Sequence, residues 1–199
     1  YNFKDYIDCT TFADEINESF ILNLYKQVAS FKDVHKKYKE KISSLLKKQL
    51  KLEKLEPWDL SVDLTKSQIK VHIEQAKQIV REGFKPLCKD YCSHIKEAFD
   101  NHWISWLPKQ NKLTGAYSIG GVKGLDKFYI LTNFNNTIDA VMTIAHELGH
   151  SMNSYYSVKN QKVYVETSIF YAEIASICAE TLMVLYFLNK YKSNKEFVN

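Results

Sequence analysis

Thr143-Ile144-Ala145-His146-Glu147-Leu148-Gly149-His150-Ser151 is the stretch on which both the fold and the chemistry turn. It contains His-Glu-x-x-His. On an α-helix each residue advances about 100° and rises about 1.5 Å. His150 therefore stands about 40° round from His146 and one turn along, so both imidazoles leave one face. Glu147 lies about 60° from His150, near enough to reach a water on that face. Two neutral imidazoles so placed suit Zn²⁺, one ion per chain, with a third protein ligand and a fourth position kept for water. A carboxylate beside that water can take its proton as it attacks a carbonyl, and Glu147 is the residue for that task.

The flanks strengthen the reading. Ile138, Val141, Met142, Ala145, Leu148, Gly149 and Met152 surround the motif with apolar or small residues. This predicts a buried helix that carries two His and one Glu, and buried ionisable groups are costly unless paired or metal-bound. A third ligand is expected on a following helix that returns antiparallel, the first one finishing near Ser157. Glu173 is the candidate, with 22 residues between it and His150, and set among Phe170, Ala172, Ile174, Ala175 and Ile177. Glu180, seven residues on and about 20° off the same face, suits an acceptor for an imidazole N–H. Glu166 is the rival ligand, less well placed because it falls in the connection.

Residues 145–157 (AHELGHSMNSYYS), 168–180 (SIFYAEIASICAE) and Gly115-Ala116-Tyr117-Ser118 extend the pattern, with 55–60 (LEPWDL) and Asn133-Phe134. Together they resemble the oligoendopeptidase F branch of the thimet oligopeptidase-like zinc metallopeptidases, over nearly the whole chain. The resemblance implies a zincin-type pair of active-site helices and short peptides as substrates, reached through a deep channel that excludes folded proteins. It also implies that the His and Tyr groups stabilising the oxyanion lie beyond Asn199. One position departs from the family, which usually has His where Asn153 stands.

The rest of the chain reads as mainly α, with a small β-sheet at the active-site cleft. Apolar stripes predict helices over 11–29 and 31–52, then from Thr65 or Ser67 to Arg81, and from Pro86 to His102. Pro57 interrupts between the second and third. From Trp103 the character changes: 103–107, 116–119 and 127–133 read as short strands among glycines. The 128–131 run lies just before the metal helix, and the resemblance implies that Tyr129, Ile130 and Leu131 pair with a substrate backbone, with Gly115, Ala116 and Tyr117 also contacting substrate; an ordinary hairpin strand is the alternative. Gly120-Gly121-x-x-Gly124 lacks the Gly-Lys-Ser/Thr ending of a phosphate loop. His94 and His102 are read as structural or surface residues.

The chain is thus divided into a helical part, 1–102, and a sheet-plus-zinc part, 103–199. No sharp domain boundary is visible, and the whole is expected to be one fragment of a larger metallopeptidase. Net charge is +4, with the excess in a Lys-rich helix at 32–54 that reads as a solvated face and not a nucleic-acid surface. No apolar run approaches the roughly 20 residues that span a bilayer. Cys9, Cys88, Cys92 and Cys178 read as buried thiols of a reducing, cytoplasmic compartment. An excess of apolar residues over 167–188 predicts an exposed patch and self-association. The alternative to an enzyme is a helical peptide-binding or interaction module.

Overall fold

The computed structural model describes residues 2–62, 69–122, 124, 127–163 and 165–192. The chain forms two compact units, 1–66 and 67–199. The break does not fall at Trp103, where the composition changes, because the two helices before Trp103 pack into the same core as the metal helix.

The first unit holds α1 (Tyr6–Thr11), α2 (Glu18–Ser30) and α3 (Lys32–Leu50), with 3-10 turns at Phe12–Asp14 and Pro57–Ser61. The single helix expected over 11–29 is broken for a local reason. Asn17 accepts the Phe20 N–H and so starts α2 afresh, while Glu15, at φ 55°, terminates the preceding turn. Pro57 opens its turn at the first helical position, where its missing N–H costs nothing.

The second unit contains α4 (Ile73–Phe84), α5 (Lys89–Asp100), β1 (Ile104–Ser105), β2 (Tyr117–Ile119), β3 (Tyr129–Leu131), α6 (Ile138–Asn160) and α7 (Ile169–Tyr191). The helix start expected at Thr65 or Ser67 lies outside the described residues. Residues 69–72 are extended, the Val71 N–H bonds the Asn136 carbonyl, and α4 begins at a capping box between His72 and Gln75. Ala76, Val80 and Phe84 form one fully buried stripe of α4. They share a core with Ile95 and Ala98 of α5, Ile130 of β3, Ile144 and Leu148 of α6, and Met183 of α7. Each such large side chain contributes roughly 1.5–3 kcal/mol by leaving water.

The sheet order is β1-β3-β2, with β1 parallel and β2 antiparallel to β3. This corrects the expectation for Tyr129, Ile130 and Leu131. β3 is the central strand, so both its edges are taken, and Ile130 is buried in the core. A two-residue β1 is enough to close the far edge, with further bonds from the Thr132 and Phe134 N–H groups to the carbonyls of Ser105 and Trp106.

Helices α6 and α7, of 23 residues each, pack closely. Gly149 permits it: a Cβ there would lie 2.7 Å from the Ser176 Cα and 2.8 Å from the Ala175 carbonyl oxygen. Helix α6 starts where the Thr137 hydroxyl accepts the Ala140 N–H, and runs three residues past the expected Ser157. Tyr171–Tyr191 is long and apolar enough to cross a membrane by length and composition, contrary to the sequence expectation. Its two carboxylates, Glu173 and Glu180, are taken up by the histidines of α6, which marks that face as a packing face. The cysteines also differ from expectation. Cys9, Cys88 and Cys178 are exposed and Cys92 is half-buried, because Cys88 caps α5 instead of lying on its inner face.

Candidate metal centre

His146 and His150 leave α6 one turn apart, and their Nε2 atoms stand 3.1 Å from each other. Glu173, from α7, brings Oε2 to 3.5 Å from His146 Nε2 and 3.7 Å from His150 Nε2. Among the described residues this is the one group of His, Cys, Asp or Glu whose donor atoms converge in the manner of a metal site.

The donor set can be tested against an ion. Ligands about 2.0–2.2 Å from a tetrahedral Zn²⁺ are separated from one another by about 3.3–3.6 Å. The three separations observed, 3.1, 3.5 and 3.7 Å, bracket that value. Two imidazole nitrogens and a carboxylate oxygen are also the donor types that zinc takes. The residues fit the metal.

The surroundings orient these donors. His146 Nδ1–H donates to Glu180 Oε1 at 2.7 Å, which leaves the Nε2 lone pair facing His150 and Glu173. The Ser176 hydroxyl, fully buried, donates to Glu173 Oε2 at 2.9 Å. The His150 pKa is lowered, chiefly by burial, against the opposing pull of Glu173. A depressed pKa keeps imidazole in the neutral form that a metal needs.

Glu147 is 5% exposed, and its Oε2 has no hydrogen-bond partner. Burial raises its pKa, the neighbouring His146 opposes the rise, and Glu173 adds to it. A buried carboxylate oxygen left without a partner is costly. The Glu147 side chain lines the same cavity as the three donors, where a carboxylate suits a water or substrate proton.

A cavity of 580 Å³ opens over these groups. Ala116 and Tyr117 line it, as expected, together with Ser118, Gly120, Gly121 and Val122. Gly115, Tyr129, Ile130 and Leu131 do not. Gly115 instead gives its carbonyl to Asn133 Nδ2 and lines a separate hollow. The strand along the cavity is β2, which among the described residues has a neighbour on one side only. Its Ser118 hydroxyl bonds that of buried Ser151, beside His150, at 2.8 Å and ties the strand to the metal helix. Sequence reading missed Ser118, Ser151 and Ser176; small hydroxyl residues carry no periodic signal. Asn153 also lines the cavity, its amide donating to Thr167 Oγ1 at 3.3 Å. His94, packed on Tyr155 between Asp90 and Glu97, is structural, and His102 is exposed at a turn.

The family model described as peptidase family M3 matches residues 1–197. This chain belongs to peptidase family M3. An oligoendopeptidase F homolog of Mycoplasma pneumoniae is 46% identical over 189 residues, which is 95% of this chain and 31% of that protein. Oligopeptidase PepF of Bacillus subtilis is 35% identical over 182 residues, 90% of this chain and 27% of that protein. The chain therefore spans about a third or less of the M3 relatives it matches. Among solved structures, PZ peptidase A with an inhibitor superposes with a TM-score of 0.75 at 17% identity, covering 92% of this chain and 33% of that one. A Bacillus anthracis protein described as an oligoendopeptidase F gives 0.73 at 19% identity, over 89% and 34%. At those identities the likeness is one of fold: mostly helical with a small sheet, as the sequence pattern implies.

Proposed function

We propose that this chain carries the metal-binding part of a zinc-dependent endopeptidase acting on short oligopeptides. His146, His150 and Glu173 would hold one Zn²⁺, and Glu180 would fix the tautomer of His146. When bound, the metal supplies Lewis-acid polarisation of a carbonyl and lowers the pKa of water to about 7. The chain's own residues do the rest. The Glu147 carboxylate accepts a proton from the attacking water and later delivers it to the leaving amine nitrogen. Its raised pKa, due first to burial, suits a group that must both take and return a proton near neutrality. The free edge of β2 offers N–H and C=O groups to an extended peptide lying over the histidines.

The observation that carries this reading is the convergence of the three donors around one point, with Glu147 lining the same cavity. Family membership and the oligopeptidase names of the relatives support the substrate class. The exposed thiols of Cys9, Cys88 and Cys178 favour a reducing, cytoplasmic setting. Glu147→Gln, assayed on a quenched oligopeptide with this chain and with its C-terminally extended form, tests the chemistry. Zinc should stay while turnover falls at least about 10²-fold. Turnover retained together with zinc would remove Glu147 from the reaction.

A further inference from the structure

The cavity over the metal centre has one carboxylate that the proposed chemistry leaves unused. Glu166, in the α6–α7 connection, lines it together with Val165, Thr167 and, on α6, Asn153 and Ser154. The ion pairs at the metal centre run from Glu173 to both histidines and from Glu180 to His146. Among the described residues none reaches Glu166, and no Lys or Arg lines the cavity. Asn153, the facing residue on α6, is uncharged and spends its amide on Thr167. That bond, with one from Ser157 to Thr167, holds the connection carrying Glu166 against the helix at the cavity mouth.

A negative group with no Lys or Arg among the described residues that line the cavity favours a cation brought by the ligand. We propose that Glu166 reads a basic side chain of the bound peptide, so that the preferred substrates are oligopeptides with Lys or Arg at the position facing the α6–α7 connection. This rests on the reading of the cavity as the substrate cleft. Because Glu166 is exposed, the preference is a modest one, about two- to fivefold in affinity, and weakens with salt.

The test is binding, which needs no turnover. Terminally blocked alanine-based peptides that differ by one lysine or one norleucine, placed in turn at each position, are titrated into the zinc-loaded Glu147→Gln chain. A lysine advantage of about two- to fivefold is expected at one position. It should vanish with the added Glu166→Gln and turn into a preference for a glutamate peptide with Glu166→Lys, melting temperature and zinc content remaining unchanged. Equal binding of lysine and norleucine peptides, an advantage that survives Glu166→Gln, or no peptide binding at all would overturn the inference. Lysine-selective binding, with neither peptide cut by the Glu147-containing chain or by its C-terminally extended form, would uphold it and sink the hydrolytic reading instead.

Discussion

Gly149→Ala adds one methyl group where the metal helix crosses its partner. In an isolated helix the change would stabilise by about 1 kcal/mol. Here the new Cβ would meet backbone, at 2.7 Å from the Ser176 Cα, 2.8 Å from the Ala175 oxygen and 3.0 Å from the Ser176 nitrogen. Ordinary contact begins at 3.4 Å, so α6 and α7 must part by about 0.7 Å locally. Overpacking of this kind costs about 1–3 kcal/mol, enough to cancel or exceed the gain in helix propensity. Glu173 moves with α7, because Ser176 is one turn on and bonds its carboxylate. Zinc affinity should therefore fall by at least about tenfold, the scale seen when ligand-supporting groups are disturbed. Thermal melting of the metal-free chain and competition against a chelating dye measure the two effects separately. Gly83→Ala is the control: its Cβ would meet the far end of the flexible Met183 side chain and no backbone, so zinc affinity should hold. A Gly149→Ala chain that melts above wild type and binds zinc equally well would refute the close-crossing argument.

Glu180→Gln keeps shape but weakens the acceptor of His146 Nδ1–H, and zinc affinity measured by competition should drop about 10–100-fold. Ile174, Ile177, Val184, Leu185 and Leu188 leave more than two-fifths of their surface exposed along one side of α7, so sedimentation should show self-association that Ile174→Lys with Ile177→Lys relieves. A monomer at all concentrations would show that this face needs no cover. Glu82 is held by Lys190, Tyr186 and Gln78, whose hydrogen bonds lower its pKa from 4.5 to about 2. A depressed carboxylate stabilises the fold above its unfolded pKa, and that share is lost as pH falls from 4.5 toward about 2. Acid titrations of unfolding should show a shallower loss over that window in Glu82→Gln.

What the sequence made legible follows from how far each signal reaches. His146, Glu147 and His150 are fixed by helical spacing alone, and Glu173 and Glu180 by spacing on one further helix. All five meet in one place because each signal is local to an element. The strand facing the cavity was misplaced for the opposite reason. Three short runs looked alike, and which of them became central was settled by the long-range pairs Ile104 with Ile130 and Ser118 with Ile130. The helix break at Asn17 was hidden because an apolar stripe continued across it, while one side-chain oxygen decided the cap. Gly149 reads in sequence as a weak helix position, and only the approach of Ser176 gives it a reason.

The central claim is that His146, His150 and Glu173 hold one zinc ion, and elemental analysis of the purified chain tests it most directly. One zinc per chain in the wild type, reduced strongly by Glu173→Gln and abolished when both histidines are replaced by alanine, is the predicted result. Zinc undiminished in Glu173→Gln would hand the third ligand to Glu166 or Glu180. A wild-type chain that takes up no zinc from a zinc-replete medium would contradict the account at its root.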